Sequence, residues 1–171
     1  MSVINISGVK SNGDTYPVEK IDAHVRAIPH QAVSIFVFCG DKLLLQRRAL
    51  HKYHTGGLWA NSCCTHPNWG ESSADCANRR LTEELGIQTS LKAFGQIEYS
   101  ASVGGGLWEH EYVKLFRGEI DREKEVRPNP AEVMDIAWRT RSALDAWVAS
   151  EPNLFTPWLK IYLNQVDALT F

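Results

Sequence analysis

Short apolar runs with strand character alternate with helical patterns along the chain. Ala32–Phe38 and Lys42–Gln46 are β-rich runs joined across Gly40-Asp41, a glycine-first turn suited to a hairpin in a sheet-forming core. Before them, the weak alternation from Val3 to Pro17, broken by Asn12-Gly13-Asp14, predicts an N-terminal hairpin, and Lys20 and His24 follow one helical turn apart. The stretch Asn61–Ile87 reads as strand, loop and helix. The helix is opened by Ser72 with Asp75 three residues on, and stopped before Gly86. Ala74, Ala77, Leu81 and Leu85 form its apolar face, and Cys76, Arg80 and Glu84 a second stripe at i, i+4 spacing. Next come a strand within Leu91–Val103, a Gly104-Gly105-Gly106 turn and a return strand Leu107–Phe116. Strict alternation in that return strand puts Leu107, Glu109, Glu111, Val113 and Leu115 on one face. A polar loop over 118–129, a strand Glu132–Trp138, a helix Ser142–Val148 and a second helix opening at Thr156-Pro157 complete the reading.

Length and composition then narrow the function classes. At 171 residues, 44% hydrophobic and 22% charged, the chain is expected to form one domain over 1–171 with a real core. No apolar run approaches the roughly 20 residues that span a bilayer, and the N-terminus lacks a basic segment followed by an apolar one. A cytoplasmic protein without a membrane partner is expected. Four cysteines, Cys63 and Cys64 adjacent and none in a Cys-x-x-Cys pair, predict free thiols. A net charge of −2 with mixed signs offers no basic face for nucleic acid, so the expected partner is a small molecule; monomer and homodimer stay open.

Residue chemistry adds candidates without uniting them. An extended segment would aim Cys64 and His66 at one face and Cys63 at the other. Glu109 and Glu111 point the same way, yet by coordination chemistry alone they read more readily as solvated strand residues than as ligands. Cys64 could simply pack, as free cysteines often do, and Arg80 could be a helix-surface partner of Glu84. Positive charge gathers from Gln46-Arg47-Arg48 to Lys52, before Gly56-Gly57 breaks the chain ahead of Trp59.

Aligned on Glu83-Glu84-Leu85-Gly86-Ile87, the segment resembles a degenerate Nudix box, matched by Glu71, Arg79, Leu81, Glu83, Glu84, Gly86 and Ile87. Thr65 stands where the box begins with Gly, and Arg80 replaces the Glu that helps Nudix hydrolases hold the metals activating water. Together with the Asn-Ser-x-Cys-x-His-Pro run of Asn61–Pro67 and the Trp108-Glu109-His110-Glu111 motif, the box is similar to that of type 1 isopentenyl diphosphate isomerases, non-hydrolytic Nudix relatives.

The resemblance covers most of the chain and implies an α/β Nudix-type fold, a mixed β-sheet sandwiched between α-helices. An N-terminal extension of about 30 residues would contribute Lys20, His24 and His30. It implies a divalent ion, Mn²⁺, Zn²⁺ or Mg²⁺, held by His24, His30, His66, Glu109 and Glu111, although the interval from His24 to His30 is one residue shorter than usual. It implies Cys64 and Glu111, assisted by Tyr99, as the proton-transferring pair, and Trp158 facing the isoprenoid cation, with Trp59 and Tyr99 as further walls. Lys20, Arg48, Lys52 and Arg80 would bind the diphosphate, while Glu84 and the Cys64 carbonyl would hold a Mg²⁺ carried with it. Trp138 and Trp147 would be core. The reaction implied is interconversion of isopentenyl and dimethylallyl diphosphate in isoprenoid biosynthesis. The rivals are a Nudix hydrolase of a nucleoside diphosphate derivative and a non-catalytic Nudix-fold binding module.

Overall fold

In the computed structural model, which describes residues 4–167, 169 and 171, strand β3 (His30–Cys39) is the hub of a mixed sheet. One edge of β3 runs parallel to β8 (Leu107–Glu119) from His30 to Phe38. The other edge is shared in succession by β1 (Asn5–Val9) at His30, β6 (Cys63–Thr65) at Val33–Ile35 and β4 (Lys42–Arg48) at Phe38 and Cys39. The expected β3–β4 hairpin therefore closes only at its tip. Beyond it β4 turns away to pair with β9 (Val133–Arg139) and β5 (Trp59–Ala60).

Buried polar side chains fill the gap where β3 and β4 part. Ser62 donates to the Leu44 carbonyl at 2.7 Å and accepts from the Val37 amide at 2.8 Å, and Asn61 donates to the Ile35 carbonyl at 3.0 Å. Backbone groups that lose a ladder partner must find another when buried, which explains why Asn61 and Ser62 are fully buried.

The N-terminal hairpin is β1 with β2 (Thr15–Glu19), and the long hairpin is β7 (Lys92–Gly104) with β8, which extends three residues past the expected Phe116. Val3, at the edge of the expected first strand, lies outside the described residues.

Alternation along β3 divides the core in two. Phe36 and Phe38 join Leu144, Trp158, Leu159 and Tyr162 of α3 (Arg141–Ser150) and α4 (Pro157–Gln165), while Val33, Ile35 and Val37 face α2 (Ser73–Leu85). Helix α2 is capped as its sequence predicts: Ser72 Oγ accepts from the Asp75 amide at 3.1 Å, and Gly86 is left-handed at φ 65°. A Cβ at Gly86 would also lie 2.7 Å from Arg127 Cβ, so glycine is required twice over.

The apolar face needs one correction. Ala74 is exposed, and fully buried Cys76 takes its place beside Ala77, Leu81 and Leu85 in the cluster that packs on Val33, Ile35 and Val37. Thr156 holds the N-cap position of α4 ahead of Pro157, but its hydroxyl makes no capping bond.

Candidate active site

Four pieces of chain meet above the start of β3. Strand β6 delivers Cys64 toward the α4 side and buries Cys63 against α2, and His66 follows one residue past its end. Strand β8 supplies Glu109 and Glu111 on its inner face, and α1 (Lys20–Val25) supplies Lys20 and His24. The loop between β4 and β5 supplies Lys52, Tyr53 and His54. That loop closes so tightly that a Cβ on Gly56 would lie 2.4 Å from the Leu50 carbonyl oxygen.

The histidines and carboxylates form one buried cluster. His24 is fully buried; its Nδ1 lies 2.7 Å from the Lys20 carbonyl oxygen, and His30 Nδ1 lies 2.6 Å from that of Ile28. Each carbonyl fixes its imidazole with the proton on Nδ1 and the lone pair on Nε2. The short His24–His30 interval is accommodated by a left-handed Ala27, φ 51°, and the ring centroids stand 4.9 Å apart. His66 Nε2 lies 2.7 Å from Glu111 Oε1, and His30 Nε2 lies 3.7 Å from the same oxygen.

Burial keeps His24 neutral down to about 4 and His66 down to about 3. Burial, reinforced by the neighbouring Glu111 charge, pushes Glu109 well above the ordinary carboxylate range. Burial works against Glu111 too, but the imidazoles beside it, with His66 Nε2 at hydrogen-bond distance, hold it well below that range. The Tyr99 hydroxyl lies 2.8 Å from Glu109 Oε2 and 2.7 Å from Glu111 Oε2; its single proton goes best to Glu111, the charged partner.

This donor set fits a divalent cation. Neutral imidazoles and buried carboxylates converge, the donor atoms of His24, His30, His66 and Glu111 all lie within 4.8 Å of one another, and the buried Nε2 of His30 has no hydrogen-bond partner.

The thiol side is equally ordered. Cys64 Sγ donates to Asn61 Oδ1 at 2.9 Å and lies 3.2 Å from Ser34 Oγ, itself 2.8 Å from the Tyr162 hydroxyl. Burial pushes the thiol far up, with the Ser34 contact opposing it, so the group stays S–H at neutral pH. Trp158 is buried nearby with the Arg48 guanidinium 5.3 Å above its ring. Cys64, Glu111, Tyr99 and Trp158 line one cavity of about 40 Å³, which Lys20, Arg48, Lys52, Arg80 and Glu84 also reach. Lys20, Lys52, Tyr53, His66 and Arg80 recur in the wall of an outer cleft of about 580 Å³.

Two of the cations are already paired with carboxylates. Arg80 Nη2 lies 2.6 Å from Glu84 Oε1 and 3.3 Å from Glu132 Oε1, and Lys52 forms an ion pair with Glu132. Gln46 Nε2 donates to the other Glu84 oxygen at 3.0 Å. Lys20 is lowered to about 8, by burial first and then by the charges of Lys52, Arg80 and Arg48.

Of the residues expected at the site, His24 and His30 join the buried donor cluster and the others line the cavity, apart from Trp59, which packs on Trp147 in the core, ring centroids 5.2 Å apart. The sequence reading missed Tyr53, His54 and Glu132. His51-x-x-His54 in a loop between glycines and basic residues was the available signal, but nothing local joins it to Glu109, more than fifty residues away.

Residues 28–159 match the NUDIX domain family model. The isopentenyl-diphosphate Delta-isomerase of Jannaschia sp. (strain CCS1) is 50% identical over 161 residues, covering 94% of this chain and 92% of the relative. That of Rhodobacter capsulatus is 51% identical over 160 residues, with 93% and 91% covered. That of Dinoroseobacter shibae is 54% identical over 155 residues, with 90% and 88% covered. Among solved structures, a Deinococcus radiodurans protein superposes with a TM-score of 0.77 at 14% identity, covering 95% of this chain and 99% of that one. The MutT protein from Methanosarcina mazei Go1 gives a TM-score of 0.65 at 17% identity, covering 82% and 94%. At such identities these two likenesses speak for the fold alone.

Proposed function

The chain belongs to the isopentenyl-diphosphate Delta-isomerase family of NUDIX-domain proteins, and from that premise we propose that Cys64 and Glu111 interconvert isopentenyl and dimethylallyl diphosphate by moving one proton each. The observation that carries this reading is that a thiol and a carboxylate line one cavity, Cys64 with its Sγ hydrogen-bonded to Asn61 and Glu111 hydrogen-bonded by His66 and Tyr99. Moving an isolated double bond requires a proton at one carbon and loss of another elsewhere, through a tertiary cation. An acid and a base on opposite sides of the substrate suffice. Cys64 gives its proton, Glu111 takes the other with the Tyr99 hydroxyl steadying its charge, and the roles reverse with direction.

Enclosure matters because water would capture the cation. Trp158 lines the cavity, and an aromatic ring there would stabilise positive charge and exclude water. His24, His30, His66, Glu109 and Glu111 would hold a Mn²⁺, Zn²⁺ or Mg²⁺ ion. When bound, such an ion supplies positive charge that offsets the two carboxylates and fixes their orientation. Glu84, with the Cys64 carbonyl, would hold a Mg²⁺ brought in by the diphosphate.

The hydrolase reading is disfavoured by the same helix. Of the box carboxylates, half-buried Glu71 and exposed Glu83 are paired with Arg79, and Arg80 stands beside Glu84 where a hydrolase would place another metal-binding acid. Incubating the protein with isopentenyl diphosphate, and following dimethylallyl diphosphate and phosphate release in parallel, tests the reading. Phosphate release without isomer formation would overturn it.

Arg80 is expected to grip the diphosphate. Arg80→Ala would strand the buried Glu84 carboxylate, so Arg80→Lys, which keeps the charge but loses the planar fork, is the cleaner probe. Losing a charge-assisted hydrogen bond of roughly 1.5–3 kcal/mol lowers kcat/KM about ten- to more than a hundredfold. Arg80→Glu, which sets negative charge against the substrate, is expected to be worse and to gain no diphosphate cleavage. Unchanged isomerisation in Arg80→Glu would remove Arg80 from the binding site.

Lys20 sets a pH limit on binding. It is charged below about 8 and loses its proton above, so kcat/KM, which reports the free enzyme, should fall as pH rises through that value. Lys20→Arg, charged at every working pH, is expected to abolish that limb; a limb unmoved in Lys20→Arg would assign it to another group.

A further inference from the structure

One buried imidazole at the site is neither the acid, the base nor one of the five donors. His54 is 7% exposed, and its Nε2 is buried without a hydrogen-bond partner. That nitrogen lies 3.6 Å from Glu109 Oε1, too long for a hydrogen bond. The separation is nearly the 3.7 Å between His30 Nε2 and Glu111 Oε1, a pair of donors on the opposite side of the cluster. Two donors on one divalent ion, each at about 2.0–2.2 Å from it, stand about 2.8–4.4 Å apart for bond angles of 90–180°. Both separations fall within that span.

Other features show that His54 is aimed. Its Nδ1 lies 2.9 Å from Thr55 Oγ1, which leaves Nε2 as the outward-facing nitrogen. Thr55 is a β-branched residue held at φ 49°, and the other non-glycine residue with positive φ among those described is Ala27, between His24 and His30. Such conformations are costly and persist where the surroundings impose them. His54 also stacks on His24, ring centroids 5.5 Å apart at 29°.

The donors fall into two groups, His24 with His30, His66 and Glu111, and His24 with His54 and Glu109. They cannot serve two ions at once. His24 Nδ1 is committed to the Lys20 carbonyl, so His24 offers a single lone pair, and an ion deprived of it on the second side would keep only two protein donors. We propose that His54 is a ligand of the same ion, so that four imidazoles and two carboxylates fill its coordination sphere. This rests on the five-donor reading given above. Its chemical consequence is a sphere with no position left for water, unlike that of a metal that activates water for hydrolysis. A closed sphere keeps a nucleophile away from the cavity in which a carbocation forms.

The test uses the full chain loaded with Mn²⁺ alone, no diphosphate present, in wild type, His54→Gln, His66→Ala and His51→Gln. Dissociation constants and stoichiometry come from the spectrum of free Mn²⁺, coordinated imidazoles from electron spin echo modulation, and bound water from proton relaxation. Wild type is expected to bind one ion through four imidazoles with no exchangeable water. His54→Gln should bind on the order of tenfold or more weakly, with one imidazole fewer and one water gained. His51→Gln, altered at an exposed residue of the same loop, should match wild type. Loss of Mn²⁺ in His66→Ala with wild-type affinity and imidazole count in His54→Gln would overturn the His54 assignment and leave the five-donor site standing. No Mn²⁺ binding in wild type, or none lost in His66→Ala, would overturn that site and this inference with it. Three imidazoles or two ions per chain in wild type would overturn the six-donor sphere even if His54→Gln fails to fold.

Discussion

Cys64→Ala and Glu111→Gln are each expected to lower kcat by about 10²–10⁴-fold, the usual worth of a positioned acid or base, with the fold retained. Cys64 sits at the margin of the core and makes its polar contacts through one sulfur, so alanine removes the proton donor while leaving Asn61 bonded to the Ile35 carbonyl. Glu111→Gln keeps the shape and the Tyr99 contact but gives up the charge that takes the proton. Cys63→Ala is the control. Cys63 is fully buried on the opposite face against α2, so its loss should show in thermal stability and leave kcat close to wild type. The measurement is kcat for the three variants beside their melting curves. Equal losses from Cys63→Ala and Cys64→Ala would mean that the reactive thiol has been assigned to the wrong face of β6.

The contrast between the two cysteines was legible in the sequence, because alternation in an extended segment is a local rule that needs no knowledge of neighbours. The same rule placed Glu109 and Glu111 on one face of β8, and capping chemistry fixed both ends of α2. What periodicity could not see is which edges meet. The role of β3 as a hub and the parting of β3 from β4 depend on β6 and β8, strands distant in sequence, and the buried polar role of Asn61 and Ser62 follows from that parting. Ala74 shows a different limit. Small apolar spacing on a helix is compatible with exposure, and only the sheet decides that Cys76 and not Ala74 is covered.

The site residues divide along the same line. Arg80 is informative in sequence because it interrupts a known box, whereas His54 interrupts nothing and acquires meaning only when its loop folds back on Glu109. Trp59 was drawn to the cavity by its type, but Trp147 and Phe155 claim it for the core. Aromatic type is compatible with wall and core alike. Only the packing separates them.

Chelation is expected to abolish turnover and lower the melting temperature, and added Mn²⁺ to restore both. Two carboxylates buried 3% and 5% exposed, joined through one phenol, repel each other when both are ionised. Burial, and then the Glu111 charge, push Glu109 well above the ordinary carboxylate range, which favours its neutral form in the protein without metal. A divalent ion allows both to ionise and converts their repulsion into attraction. An ion that binds only the folded chain adds about 4 kcal/mol of stability when present at 1,000 times its dissociation constant, so the melting temperature should climb with metal concentration. His66→Ala and Glu109→Gln should each lose bound metal by elemental analysis, but they differ without metal. Glu109→Gln replaces an already neutral carboxyl and should cost the metal-free protein little, whereas His66→Ala removes the imidazole at 2.7 Å from Glu111 and should destabilise it. Full metal occupancy with activity retained in both variants would sink the site. Metal loss with equal destabilisation of the two metal-free variants would show that Glu109 is not the protonated member of the pair.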